Sequence, residues 1–90
     1  MRIKQEENLF YIEDSEGNKA GEINFSPAGE ERIIIERTFV SPEHRGQGLG
    51  NKLVKEVVQY ARENDKKIVP LCPFAQKELK QVKDYSDVLA

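Results

Sequence analysis

Eleven residues, Val40-Ser41-Pro42-Glu43-His44-Arg45-Gly46-Gln47-Gly48-Leu49-Gly50, constrain this chain more than any others. They join a strand-like run to an amphipathic helix. Three glycines in five positions leave backbone N–H groups uncovered by side chains at the positive end of a helix dipole, which suits a phosphate or pyrophosphate. As a mere turn, such a run would cost folding entropy for no return, so anion binding is the favoured reading. Two familiar phosphate loops are excluded. No Gly-Lys-Ser/Thr follows, so the Walker lysine and magnesium-binding hydroxyl are missing. The dinucleotide fingerprint fails on its last spacing, and the strands before it read as antiparallel rather than as a βαβ unit. What remains is Arg45-x-x-Gly48-x-Gly50 before a helix, with Arg45 as a positive partner for phosphate oxygens.

The flanking pattern predicts an α/β (α+β) domain. Leu9-Phe10-Tyr11-Ile12, Ala20 to Ser26 and Arg32 to Val40 read as three consecutive antiparallel strands, separated by turns at Asp14–Asn18 and Pro27–Glu30. The third is too apolar for an edge. Leu49, Leu53, Val54, Val57, Val58 and Ala61 form one apolar helical face, with Lys52, Lys55, Glu56, Gln59, Arg62 and Glu63 opposite. Asn64-Asp65 ends that helix, and Lys67 to Cys72 reads as a further strand. Pro70 within it argues for an edge, a bulge or a splayed strand end. Pro73 permits a short second helix from Phe74 to Val82, on which Lys77, Lys80 and Lys83 would share a solvated face. The order β-β-β-α-β-α, with no linker or repeat, is expected to form one domain over residues 1–90.

Composition excludes several classes of function. With 38% hydrophobic and 33% charged residues, the 90-residue chain reads as folded rather than disordered. A net charge of −2 gives no basic field for nucleic acid or an acidic membrane surface. The single cysteine, Cys72, precludes an internal disulfide. Met1-Arg2-Ile3-Lys4-Gln5-Glu6-Glu7 lacks the apolar core of a signal peptide, and no apolar run approaches the roughly 20 residues that cross a bilayer. The expectation is a cytoplasmic protein with neither nucleic-acid nor membrane partners. His44, the only histidine, makes no metal site alone; it reads as a solvated loop residue able to touch a phosphate when protonated.

Arg45-Gly46-Gln47-Gly48-Leu49-Gly50, after a strand ending in Phe39-Val40, resembles the acyl-CoA loop of the GNAT superfamily of N-acetyltransferases, whose pattern is Arg/Gln-x-x-Gly-x-Gly/Ala. Thr38, Val40, Pro42, Arg45, Gly46 and Gly48 also fit the signature of a short GNAT-like subgroup, and Cys72 sits where that signature has a cysteine. The resemblance covers essentially the whole chain. It implies a minimal GNAT fold: a mixed, mostly antiparallel sheet, one main helix after the glycine loop and a short C-terminal helix. It implies acetyl-CoA as the thioester substrate. Backbone N–H groups from Arg45 through Gly46, Gln47, Gly48 and Leu49 to Gly50 would hold the CoA pyrophosphate. Phe39 and Val40 would pair with the pantetheine arm in a gap between two splayed strands, with Val40's backbone polarising the acetyl carbonyl.

Acetyl transfer needs a neutral amine, so a base is useful. The resemblance puts an acidic residue on the strand leading to the loop, where Glu36 stands; the alternative is a solvated Glu36 paired with a lysine or arginine. Cys72 also has two readings. It is either a nucleophile or proton donor beside the thioester, or a small buried hydrophobe. Its flanks, Leu71, Pro73 and Phe74, would raise its pKa. The helices that wall the acceptor site in longer GNAT domains are missing here, and the Asp14–Asn18 turn stands in their place. The acceptor site should therefore be open and suited to an exposed amine of a protein or peptide. The alternative to an acetyltransferase is a non-catalytic module that binds CoA.

Overall fold

The structure, a computed structural model, describes residues 2–90. Its five strands form one sheet in sequence order: β1 (Arg2–Glu6), β2 (Leu9–Glu13), β3 (Lys19–Pro27), β4 (Arg32–Val40) and β5 (Lys67–Pro70). The first four are joined by tight turns and run antiparallel; β5 lies parallel to β4. That parallel pairing needs a crossover, which is supplied by α1 (Leu49–Glu63), and α2 (Pro73–Gln81) follows β5.

β1 corrects the expected three-strand start. Its five residues are all exposed and contain a single apolar side chain, Ile3, so no alternating pattern marks it. It forms because its backbone completes a ladder with β2, where Lys4 also pairs with Glu13 at 2.8 Å. The strand expected to reach Cys72 ends at Pro70, and Lys83 lies beyond α2 in a 3₁₀ turn rather than on the helix face with Lys77 and Lys80. The remaining elements follow the hydrophobic pattern. Leu49, Leu53, Val54, Val57, Val58 and Ala61 of α1 are buried, and the helix covers Phe10, Ile12, Ile23, Phe25, Ile33 and Ile35 of the sheet. Tyr60 closes this layer at one end, tilted against Phe25 and edge-on to Phe10 with centroids 5.1 and 6.1 Å away.

Two irregularities in β4 prepare the site. The β3–β4 register shifts between Asn24, opposite Arg37, and Phe25, opposite Ile35, so Glu36 is an extra, unpaired residue. On the other side, pairing with β5 stops at Ile35–Pro70. The N–H groups of Leu71 and Cys72 both donate to the Ile35 carbonyl, at 3.0 and 3.4 Å, and the chain then turns away into α2. From Glu36 to Val40, β4 keeps β3 as its only strand partner among the described residues. Among those residues no helix is long and apolar enough to cross a membrane.

Candidate functional site

The glycine run is a turn that only glycine makes cheaply. Gly46 and Gly48 have φ of +85° and +73°, and Gly48 is the left-handed N-cap of α1. No side chain caps the helix. Its first-turn N–H groups, which cannot bond within the helix, are thereby left for a ligand. Gly50 serves a different purpose. It lies inside α1, where an added Cβ would sit 2.9 Å from Cζ of Phe74. The missing side chain lets the start of α2 press against the start of α1.

A groove of about 370 Å³ runs along this junction, lined by Val40, Arg45, Gly46, Gly48, Gly50 and Phe74. A second hollow, of about 220 Å³, continues from it to Thr38 and Phe39, and the two share Val40, Arg45, Gly50 and Phe74. One path therefore leads from the glycine turn to the place where β4 and β5 part. Arg45 borders both parts, its Nε donating to the Val40 carbonyl at 3.3 Å. Of the expected loop residues, Gln47 is exposed, whereas the Leu49 side chain is in the core, leaving only its backbone for a ligand.

Cys72, the N-cap of α2, lines neither hollow but lies behind Thr38, at the far end of the second. Its Sγ lies 3.6 Å from Thr38 Oγ1, across the gap between the strands. Burial pushes the thiol pKa up. Hydrogen bonds from the Ala75 N–H, the Thr38 hydroxyl and the Phe74 and Thr38 N–H groups outweigh it, and the net result lies below the usual thiol value. This corrects the expectation drawn from apolar neighbours in sequence. What faces the sulfur is the open N-terminus of α2 and a hydroxyl 34 positions earlier.

Glu36 is exposed at the bulge, directly after the residue whose carbonyl receives the Leu71 and Cys72 N–H groups. It makes no ion pair among the described residues, so the expected lysine or arginine partner is absent there. Thus β4 brings Glu36, Thr38, Phe39 and Val40 to one gap, with Cys72 across it and the glycine turn at its end. His44 departs from the solvated residue expected of it: its side chain is only 15% exposed and both ring nitrogens are engaged, by Ser41 and Asp14. In sequence, Phe74 stood out as the start of a helix and as an apolar flank of Cys72. An aromatic residue directly after the helix-opening Pro73 was the available signal, but the Gly50 contact that gives it meaning is tertiary. No group of three or more metal-ligating side chains occurs among the described residues.

Comparison with known proteins agrees with this geometry. A family model described as GCN5-related N-acetyl-transferase matches residues 9–88. A GCN5-like protein of Staphylococcus aureus, known from its solution structure, superimposes with a TM-score of 0.82 at 46% identity, covering 99% of this chain and 87% of that one. The GNAT-family N-acetyltransferase YhbS of Escherichia coli, solved in complex with CoA, matches with a TM-score of 0.65 at 28% identity, over 70% of this chain and 38% of its own. An uncharacterized N-acetyltransferase of Methanocaldococcus jannaschii is 29% identical over 75 residues, covering 77% of this chain and 33% of the relative. The chain spans a third or less of the length of the curated relatives it matches.

Proposed function

The chain belongs to the GCN5-related N-acetyltransferase family, and we propose that it binds acetyl-CoA along the groove and transfers the acetyl group to an exposed amine. The observation that carries this is the continuous path from an uncapped, glycine-lined helix start to the Thr38–Cys72 contact where β4 and β5 separate. It offers N–H groups and Arg45 to a pyrophosphate at one end. Along its middle lies the outer backbone edge of Phe39 and Val40, which suits the two amides of a pantetheine arm. At its far end it offers a thiol of lowered pKa to a thioester.

The amine lone pair forms a C–N bond at the thioester carbonyl carbon, the C–S bond breaks, and its electron pair leaves on the CoA sulfur. Glu36, exposed beside the gap, takes the amine's proton directly or through a water. Cys72 supplies a proton to the departing thiolate, and its own thiolate is then held by the N–H groups of Phe74 and Ala75. Those same hydrogen bonds favour a second route, in which the Cys72 thiolate accepts the acetyl group first and the amine takes it from there. The side of the sheet beyond the gap has no covering helix, and Leu71, 59% exposed, stands at its lip. A protein or peptide amine suits so open an approach better than an enclosed metabolite.

The test is an NMR titration of the labelled protein with acetyl-CoA, followed by a panel of peptide and protein amines. Shifts in the amides of Arg45–Gly50, Phe39, Val40 and Cys72 are expected; none at millimolar ligand would overturn the reading. Binding without acetylation of any amine would leave a CoA-binding module. Glu36→Gln should lower turnover about 10²-fold with little change in acetyl-CoA affinity. Cys72→Ala separates the routes. Direct transfer survives it at a rate lowered by the lost proton donor, whereas the covalent route loses nearly all turnover and leaves acetyl-cysteine detectable by mass spectrometry in the unsubstituted protein.

A further inference from the structure

The turn between β2 and β3 and the loop after β4 are joined by a chain of polar contacts that the proposed chemistry does not use. Asp14 Oδ1 accepts the N–H groups of Glu16 and Asn18, each at 2.9 Å, which closes the turn. Its other oxygen, Oδ2, lies 3.5 Å from His44 Nε2. His44 Nδ1 lies 2.7 Å from the Ser41 hydroxyl, and the His44 N–H donates to the Ser41 carbonyl at 3.0 Å. Ser41 is anchored in turn, its N–H donating to the Ala20 carbonyl at 2.8 Å. The side chains of Asp14 and His44 are each only 15% exposed. The imidazole therefore bridges the two segments, with Nδ1 hydrogen-bonded to the Ser41 hydroxyl and Nε2 facing the Asp14 carboxylate.

We propose that Asp14 is a positioning residue and that its contact with His44, which itself borders the groove, forms a strut from the β2–β3 turn that fixes where the anion-binding loop begins. The loop has little else to hold it. Two of its residues adopt positive φ, no side chain caps the helix it enters, and Arg45 is tied only to Val40. Glycine backbones are the ones that roam most when unsupported. His44 is the last ordinary residue before the run Arg45-Gly46-Gln47-Gly48, so a fixed imidazole fixes the origin of every N–H group that follows. The Ser-His-Asp composition invites comparison with a hydrolytic triad, but the placement argues against one. The hydroxyl meets Nδ1 rather than Nε2. Asp14 lines neither part of the groove, so whatever it does for a ligand it does through His44.

The inference rests on the groove being a CoA site, and the experiment separates the two. Affinities for acetyl-CoA and for S-acetylpantetheine, which lacks the pyrophosphate and nucleotide, are measured on the unsubstituted protein and on Asp14→Ala, Asp14→Asn, His44→Ala and the double alanine variant. Asp14→Ala and His44→Ala should each weaken acetyl-CoA about tenfold, the scale of one lost charged hydrogen bond. Acetylpantetheine affinity should stay within about twofold, because it never reaches the loop. The double variant should be no worse than either single one, since both cut the same strut. Asp14→Asn, which can still close the turn and reach the ring, should recover most of the loss. Equal weakening of both ligands, or an unchanged acetyl-CoA affinity in a folded Asp14→Ala protein, would overturn the strut. If Asp14→Ala does not fold, Ser41→Ala cuts the other end and is held to the same outcomes. Failure of the unsubstituted protein to bind acetyl-CoA would instead remove the groove reading and the strut with it.

Discussion

The two halves of β4 make opposite use of the same backbone. Arg32 to Ile35 is flanked by β3 on one side and β5 on the other, with Ile33 and Ile35 buried under α1. Glu36 to Val40 begins with a bulge and keeps a strand partner only on the β3 side. The first half uses its hydrogen bonds in two strand ladders; among the described residues the second has a strand ladder on one edge only. The switch is made by two adjacent events, the extra residue Glu36 and the departure of the chain after Pro70. The N–H groups of Lys67 and Leu71 face β4 whereas that of Ile68 faces Val88, so the Pro70 nitrogen lies on the far side, and the gap opens where the chain turns into α2 after the Leu71 and Cys72 bonds to Ile35.

Substitutions can sharpen this contrast. Ile35→Ala, in the closed half, should cost about 2–5 kcal/mol in chemical denaturation, because it leaves a cavity between sheet and α1. Thr38→Ala, three residues on in the open half, should cost about 1 kcal/mol, one modest hydrogen bond. Comparable losses at both positions would mean that the two halves are not energetically distinct. Gly21→Ala comes next. Its Cβ would sit 2.9 Å from the Phe39 carbonyl oxygen, a backbone atom that cannot swing aside. A cost of about 1–3 kcal/mol is expected, with altered acetyl-CoA shifts at Phe39 and Val40, since the open half itself must move.

The smallest effect concerns the thiol. Because the folded pKa of Cys72 lies below its ordinary value, the folded state binds fewer protons between the two. Stability from this source is present in full above the ordinary thiol pKa and is lost as pH falls through the lowered one. The pH profile of iodoacetamide labelling should have its midpoint below that of a free thiol. Thr38→Val, which removes one of the stabilising hydrogen bonds, should move it back upward. A midpoint unmoved by that substitution would show that the helix N–H groups alone set the value.

What could be read from the sequence was whatever repeats along it. The helix α1 announced itself through six apolar residues at helical spacing, all buried as expected, and the glycine turn through its density of glycines. Pro70 was read as marking an edge, a bulge or a splayed strand end, and it is the last residue of β5, an outer strand of the sheet. β1 was silent, since an exposed edge strand has no apolar face to alternate. The environment of Cys72 was misread because it depends on Thr38, 34 residues away, and on α2 N–H groups whose direction no local pattern encodes. His44 was misread in the same way, its partner Asp14 lying 30 positions upstream. The polar partners of a site come from different elements and leave no periodic trace.

The parallel pairing of β5 with β4 has a consequence for how the molecule comes into being. The first four strands form a meander of local hairpins, each closed by a few turn residues, and can assemble early. The β4–β5 register instead waits for the glycine turn, all of α1 and the Asn64–Lys66 connection to be in place. The gap, and with it the far end of the groove, is therefore a late product of folding. A meander without β5 would hold Glu36 and Thr38 with nothing opposite them. If acetyl-CoA binds along the groove as proposed, its affinity would report on completion of the fold, and by binding only the finished state it would draw the last step forward.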